Sequence, residues 1–316
     1  MTQQDLFRTD SYTEVGRGVI IMQKASGVSA YFVGQDFPIT DNALEIDYAA
    51  CGMNHALVRC NSGSAYAVGS NLAGQCGLAK SVEFSSKFVK IASDVRLIAC
   101  GATFSIMLFD DGRLCCSGSN KYGQLGLPAC EFLHGWAEVQ EVPNNITSIS
   151  CGYTHSCLVS DGVVYAAGLD THGQLRFMSN STTAGVFTVV SFPLRVKHVA
   201  CGVWTTAFLT EDGDVYIAGK APMYQEGPRA ISDFIKDYRL AEERASKATV
   251  LCNMTKLDTD RRISHIEMGS STAIALCSDR VTVFIIDLVT LTISRSITHT
   301  AIIERISIGG NSWAYI

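Results

Sequence analysis

Short apolar runs alternate with polar, glycine-containing segments along most of the chain. Two such runs, Ser105–Phe109 and Arg113–Gly118, are separated by Asp111-Gly112. Asp-Gly between apolar runs is the strongest short-range signal for a β-hairpin, because both central residues then adopt positive φ. The pattern therefore predicts short antiparallel strands, and a further strand such as Phe88–Ala92 follows the loop of each unit.

The whole pattern repeats about every fifty residues. A block centred on a glycine recurs at Gly52, Gly101, Gly152 and Gly202, with weaker copies at Gly269, Gly310 and Gly16. The hairpin signal recurs at Ser62-Gly63, Asp161-Gly162 and Asp212-Gly213. A second segment recurs at Gly69–Leu78, Gly118–Leu127 and Gly168–Phe177. A period of this length indicates a repeat architecture.

Four antiparallel strands in each fifty residues, without helical spacers, predict a propeller blade. We therefore expect an all-β, seven-bladed β-propeller of four-stranded blades, or a six-bladed one if Gly16 is a false copy. A solenoid is the competing architecture, but the last unit, Arg305–Ile316, has room for only two strands. We expect the N- and C-terminal strands to close the ring, with Asp5–Thr9 as the N-terminal candidate. Residues 1–316 then form a single domain, with an inserted helical segment at about 229–247.

The pairing of a Cys-Gly-x-x-His block (Cys51–His55, Cys151–His155) with Gly-Ser-Asn-x-x-Gly-Gln-Leu-Gly (Gly118–Gly126) resembles the regulator-of-chromosome-condensation repeat. The resemblance implies a seven-bladed propeller. It also implies two known activities of the family: nucleotide exchange on the GTPase Ran at chromatin, and protein scaffolding. The N-terminal segment here is not basic, and no well-formed loop carries an insertion like the exchange factor's β-wedge. We therefore expect a non-enzymatic scaffold or regulatory subunit; a guanine-nucleotide exchange factor and a chromatin adaptor are the alternatives.

Composition narrows the partner class. The 316-residue chain is 47% hydrophobic and 17% charged, which suits a large buried core, and its net charge is −5. Net acidity argues against direct nucleic-acid binding. No apolar run is long enough to span a membrane. The start of the chain does not resemble a signal peptide, so we expect a reduced, cytoplasmic or nuclear monomer that binds a protein: a small GTPase or a multi-subunit complex.

The cysteines and histidines do not form a predicted catalytic or metal site. Cys51, Cys100, Cys151 and Cys201 precede the block glycines at equivalent positions, so the repeat spreads them around a ring. His55 and His155 stand three residues after the block glycines, where other copies have Phe104 or Thr205. A histidine that acts as a general base would not be replaced by phenylalanine or threonine in other copies. We expect no catalytic residue, no bound metal and no cofactor.

The repeated residues are expected to be structural, because glycine allows positive φ and a glutamine amide satisfies loop backbone groups. They are Gly52, Gly101, Gly152, Gly202, Gly123, Gly173, Gln75, Gln124 and Gln174.

Partner binding is expected where the blades differ from one another. The candidates in the rim loops are Asn54, Thr103, Tyr153, Trp204 and Asn311. Exposed aromatic residues are typical hot spots, so Trp204→Ala is expected to weaken binding without lowering thermal stability; the alternative is that Trp204 folds back onto its own blade. Weaker candidates are Trp136, in the predicted loop Pro128–Glu141, and Phe234 and Tyr238, on one stripe of the predicted helix. That helix either covers the propeller or presents a docking surface.

Overall fold

The structure is a computed structural model that describes residues 13–15, 18–24, 27–32, 34–175, 183–220, 254–269, 272–298, 303, 306–309 and 312–315. In these ranges the secondary structure consists of strands and turns. No helix within them is long and apolar enough to cross a membrane. The predicted helical segment at 229–247 lies outside the described residues, as do Phe234, Tyr238, Asn311 and the N-terminal strand candidate.

The strands are β1 (Thr13–Val15), β2 (Val19–Lys24), β3 (Gly27–Phe32), β4 (Ile39–Asp41), β5 (Ile46–Cys51), β6 (His55–Cys60), β7 (Ala65–Ser70), β8 (Phe84–Ala92), β9 (Val95–Cys100), β10 (Phe104–Phe109), β11 (Leu114–Asn120), β12 (Cys130–Val139), β13 (Ile146–Cys151), β14 (His155–Ser160), β15 (Val163–Leu169), β16 (Thr183–Val189), β17 (Val196–Cys201), β18 (Thr205–Thr210), β19 (Val215–Gly219), β20 (Thr255–Lys256), β21 (Ile263–Met268), β22 (Thr272–Cys277), β23 (Thr282–Asp287), β24 (Thr292–Thr298), β25 (Ile306–Gly309) and β26 (Ser312–Tyr315).

Within the described ranges, consecutive strands pair antiparallel into six four-stranded sheets and one two-stranded sheet. Blades 1 to 6 are β1–β4, β5–β8, β9–β12, β13–β16, β17–β20 and β21–β24, and β25–β26 occupy the seventh position. The first strands of all seven sheets contact one another in sequence around a ring, and β25 contacts β1. The fold is therefore the predicted all-β propeller, and its first and last described strands meet where the ring closes.

The hydrophobic core lies between the blades. In β14, Cys157 and Val159 pack against blade 5, while Leu158 between them packs against blade 3. Adjacent residues of a strand point to opposite faces, so a strand with neighbours on both sides is apolar at consecutive positions along its middle. This explains why the inner runs of the sequence are continuously apolar.

The turns at the predicted hairpin signals differ from the expectation in one respect. Both Asp161 and Gly162 have positive φ, at 48° and 79°, and Ser160 pairs directly with Val163. At Ser62-Gly63, Asp111-Gly112 and Asp212-Gly213 the glycine alone has positive φ. Each of these three turns is one residue longer than the turn at Asp161-Gly162. Its glycine, with positive φ, accommodates the extra residue.

The meander of each blade defines two faces of the propeller. The turns after the first strands and the loops after the third strands lie on one face, here called the motif face because both repeated motifs lie there. The turns after the second strands, with their Asp-Gly pairs, lie on the opposite face, here called the hairpin face.

Candidate functional site

The turn after the first strand is built in the same way in blades 2 to 5, and its backbone hydrogen bond also forms in blade 6, where the Gly269 amide donates to the Thr272 carbonyl at 2.8 Å. The amide of the block glycine donates to the carbonyl of the residue three positions later, in the pairs Gly52–His55 (2.9 Å), Gly101–Phe104 (2.8 Å), Gly152–His155 (2.8 Å) and Gly202–Thr205 (2.8 Å). The side chain of that later residue lies directly against the glycine, where a Cβ would collide with it. The motif is therefore a close-packed turn.

His55 and His155 join neighbouring blades. His55 Nε2 lies 2.9 Å from Ser105 Oγ of the next blade, and that hydroxyl donates to the Gln75 carbonyl at 2.7 Å. His155 Nε2 lies 3.1 Å from Thr206 Oγ1 in the same relation. Both rings are fully buried. Burial lowers the pKa of His55 to about 3, so its imidazole is neutral at physiological pH.

The loops after the third strands of blades 2 to 4 are held by buried side-chain hydrogen bonds. Asn120 accepts the Leu125 amide at 3.0 Å and donates to the carbonyls of Leu127 (3.2 Å) and Pro128 (2.9 Å). The glutamine Oε1 accepts the amide two residues earlier, in the pairs Gln75–Ala73 (2.9 Å), Gln124–Tyr122 (3.0 Å) and Gln174–His172 (2.9 Å). These contacts fix the backbone of each loop, so its tip residue is presented in a defined position.

The candidate rim residues differ in exposure. Asn54 is exposed, and Thr103 and Tyr153 are half-buried. Trp204 is 8% exposed, so the expectation of an exposed tryptophan is wrong. Its ring stacks on His172 of the preceding blade, with centroids 4.4 Å apart and planes within 3°. Leu169, Val203, Tyr122 and Tyr153 complete this cluster, so Trp204 packs across a blade boundary and not only onto its own blade.

Trp136 is also part of the fold. The predicted loop Pro128–Glu141 contains the ten-residue fourth strand of blade 3, β12, which pairs with β11. The indole of Trp136 is half-buried and lies against Gly77 of blade 2. The segment is not a free recognition loop because its backbone pairs with β11 as the fourth strand of the blade.

Three large apolar side chains are exposed where blades 1 and 2 reach the motif face. Phe37 is 82% exposed, Leu72 is 65% exposed and Phe84 is 39% exposed. Phe84 contacts Phe32 of blade 1 edge-on, at a centroid distance of 5.5 Å. We call Phe37, Leu72 and Phe84 the apolar lip. The residue pattern alone did not predict this surface, although Leu72 occupies the variable tip between the repeated Asn71 and Gly74.

The central channel forms a cavity of about 150 Å³. Its wall includes Cys51, Cys100, Cys151 and Cys201, one from each of four neighbouring first strands. Burial raises the pKa of Cys151 well above its usual value, so this thiol stays protonated. The described cysteines form no disulfide.

The repeat itself matches a known family model. The model for the regulator of chromosome condensation (RCC1) repeat matches residues 95–124, 146–174 and 196–225, and a second RCC1 repeat model matches residues 111–159. The first three matches begin at or next to the starts of β9, β13 and β17, the first strands of three successive blades. The protein is a β-propeller that contains RCC1-type repeats.

Solved RCC1-type structures share this fold over almost the whole chain. The crystal structure of human WBSCR16 superposes with a TM-score of 0.74 at 19% identity, covering 97% of this chain and 87% of the other. Prp20p from Saccharomyces cerevisiae, whose structure was described with its binding to Gsp1p and histones, superposes with a TM-score of 0.71 at 16% identity, covering 94% and 80%. At these identities the similarity establishes the fold alone.

The curated relatives are much longer proteins. The human probable E3 ubiquitin-protein ligase HERC6 is 28% identical over 198 residues, which is 58% of this chain and 19% of the ligase. The X-linked retinitis pigmentosa GTPase regulator homolog of Caenorhabditis elegans is 32% identical over 184 residues, 55% of this chain and 13% of the relative. The RCC1-type propeller therefore spans a fifth or less of each of these two relatives.

Proposed function

We propose that this RCC1-type propeller acts as a scaffold or regulatory subunit that binds a protein partner on its motif face, without catalysis of its own. The observation that supports this most directly is the apolar lip. Phe37 and Leu72 are the two most exposed of the large apolar side chains among the described residues, and both lie at the motif face. Exposed apolar side chains grouped on one face are typical of protein-binding surfaces.

The construction of the loops supports the same proposal. Asn71 donates from Nδ2 to the Val82 carbonyl at 2.8 Å, and its Oδ1 accepts the Cys76 amide at 3.1 Å, so the loop carrying Leu72 is tied at its base. A side chain on a fixed loop loses little conformational entropy when a partner covers it. Leu72 is therefore suited to be a binding anchor.

Asn54, Thr103 and Tyr153 extend this surface along the motif face in our proposal. They follow the block glycines in blades 2 to 4 and are exposed or half-buried. Their polar atoms suit the rim of an interface around an apolar centre. Trp204 and His172 then act by holding the surface together and not by contacting the partner.

The test uses one leucine on each face. Leu72 lies on the motif face, and Leu194, 43% exposed, lies on the hairpin face just before β17. Partners of the wild-type chain are captured from cells, and each partner is then purified and titrated against Leu72→Asp and Leu194→Asp. We expect Leu72→Asp to weaken binding and Leu194→Asp to leave it unchanged, because a carboxylate disrupts only the apolar contact it enters. Equal binding by all three chains contradicts the proposal.

Nucleotide exchange on a small GTPase is the main competing function. It is measured as the release of labelled nucleotide from a panel of GTPases with and without the propeller. We expect no acceleration. Accelerated release would replace the scaffold proposal by an exchange factor.

A further inference from the structure

A polar sector interrupts the channel wall in three adjacent blades. Ser148, His198 and His265 stand three residues before the ends of β13, β17 and β21, so they occupy equivalent positions on neighbouring strands. The corresponding residues of blades 2 and 3 are Tyr48 and Leu97. The polar sector thus occurs in blades 4 to 6 and not in blades 2 and 3, so it is not part of the repeat.

The side chains of this sector converge. His265 and Glu267 are two residues apart on β21, so they point to the same side of the strand, and His265 Nε2 lies 3.0 Å from Glu267 Oε1. The imidazole of His198 lies on that of His265, with centroids 4.6 Å apart and planes inclined by 35°. One potential ligand atom from each of His198, His265 and Glu267 lies within 4.8 Å of the others.

One ring nitrogen of His198 faces Ser148, and the other is directed away from it. Its Nδ1 is 3.0 Å from Ser148 Oγ, whereas its Nε2 is buried and makes no hydrogen bond of good geometry to a described residue; the Ile266 backbone also interacts with the imidazole. A buried polar atom without a partner destabilises the fold, so such atoms usually have a ligand or an ordered water. A histidine fixed through one nitrogen by a hydrogen bond, with the other nitrogen available, is the usual arrangement of a metal ligand.

We propose that His198, His265 and Glu267 bind a divalent cation of the zinc class on the wall of the central channel. Two imidazoles and one carboxylate suit Zn²⁺ and the metals next to it in ligand preference, and they do not suit Ca²⁺ or Mg²⁺, which prefer oxygen ligands. The cation takes the place of the hydrogen bond between His265 and Glu267, and the neutral imidazole of His265 keeps its proton on Nδ1 while Nε2 binds the metal. Ser148 positions His198 without touching the metal.

The position of the site allows a cation to enter. The side chains of His265 and Glu267 are 37% and 34% exposed, and His198 and Glu267 line the channel cavity. Three protein ligands leave a fourth coordination position for water or a ligand of the partner. The donor atoms must move together slightly, because Zn–N and Zn–O bonds of about 2.0–2.2 Å place neighbouring ligand atoms about 3.3 Å apart.

The experiment is calorimetric titration of Zn²⁺ into the full chain, prepared without a polyhistidine tag, reduced and stripped with a chelator. We expect one saturable site in the wild type. Glu267→Gln and His265→Gln are expected to weaken it at least about tenfold, since each removes a ligand from a half-exposed position where folding is tolerant, and Ser148→Ala is expected to weaken it about tenfold. His172→Gln, which changes a half-buried histidine outside the sector, is the matched control and keeps wild-type affinity.

Cobalt distinguishes this site from the cysteines. Co²⁺ bound by nitrogen and oxygen shows visible d–d absorption without the near-ultraviolet charge-transfer band of a cobalt–thiolate bond. A thiolate band at the first equivalent, no saturable site in the wild type, or wild-type affinity in both Glu267→Gln and His265→Gln would each overturn the proposal. Circular dichroism of every variant confirms that an affinity loss is not a loss of fold.

Discussion

Gly112 and Gly123 have similar backbone angles but different surroundings. Their φ values are 90° and 77°, both in the left-handed region. A Cβ on Gly112 would meet nothing within 4 Å, whereas one on Gly123 would lie 2.5 Å from the Gly185 Cα and 2.8 Å from the Ala184 carbonyl oxygen of the next blade. Gly112 therefore supplies only a turn, and Gly123 supplies both a turn and contact between two blades.

Alanine at the two positions separates these roles. Gly112→Ala is expected to cost about 1–2 kcal/mol of unfolding free energy, the penalty of left-handed φ for a residue with a Cβ. Gly123→Ala is expected to cost about 1–3 kcal/mol more, because backbone atoms of blade 4 must move. Urea unfolding of both variants measures the difference. Equal losses of unfolding free energy would show that blades 3 and 4 move apart at Gly123 without an energetic cost.

His55 makes the stability of the propeller sensitive to acid. Its pKa is about 3 in the folded chain and near 6.5 when unfolded, so between these values the unfolded chain binds a proton that the folded chain excludes. Stability from this group is therefore complete above pH 6.5 and falls as pH decreases, by at most about 1.4 kcal/mol per pH unit.

His55→Phe tests this linkage, because Phe104 fills the equivalent position of blade 3 against Gly101. Ser105 keeps its hydrogen bond to the Gln75 carbonyl in the variant. Relative to the wild type, His55→Phe is expected to gain about 1.4 kcal/mol for each pH unit below 6.5. Unfolding free energies at pH 7 and pH 5 measure this gain. Parallel pH profiles for the two chains would mean that His55 accepts its proton without unfolding.

Single residues of the repeat were predictable because each copy places them in the same surroundings. The glycines, Gln75 and Gln124 lie in the loops and turns where the repeat puts them. Exposure was not predictable for Trp204, because His172 and Tyr122, which cover it, belong to other blades. The juxtaposition of His198 and His265 was equally hidden, since the longest unit of the sequence separates them.

At the scale of the element, the turn after the first strand has the same backbone hydrogen bond in successive blades, but the residues at its tip differ. Asn54 and Trp204 both stand two residues after a block glycine, yet Asn54 is exposed and Trp204 is buried. The stack of Trp204 on His172 ties the turn of blade 5 to the loop of blade 4. Residues at the same position of the repeat therefore have different roles. Trp204 stabilises a boundary between two blades, whereas Asn54 is exposed at the surface.

Alanine substitution at this repeated position measures the difference. Trp204→Ala is expected to lower the unfolding free energy by about 3–5 kcal/mol, as for other buried tryptophans, which replaces the earlier expectation of unchanged stability. Asn54→Ala is the matched control and is expected to stay within about 0.5 kcal/mol of the wild type. Thermal and urea unfolding of both variants test this, and an unchanged Trp204→Ala would show that the indole does not hold the blades together.

At the scale of the molecule, the architecture followed from the fifty-residue period. Strand order within a blade depends on the spacing and hairpin signals that the clear copies repeat, and ring closure followed from a last unit with room for only two strands. The site did not follow, because a binding surface is made of residues that break the repeat. Phe37 lies outside the clear copies of the motif, in blade 1, which packs beside the blade that carries Leu72. The function of a propeller thus depends on which non-repeated residues the repeated blades bring together.

The matched leucines test the central proposal, that the motif face binds the partner, most directly. The measurement is the ratio of the partner's dissociation constants for Leu72→Asp and Leu194→Asp. Loss of an apolar anchor and burial of a carboxylate together cost about 2 kcal/mol or more, so we predict that Leu72→Asp binds at least about thirtyfold more weakly than Leu194→Asp. A ratio near one, or weaker binding by Leu194→Asp, would contradict the account.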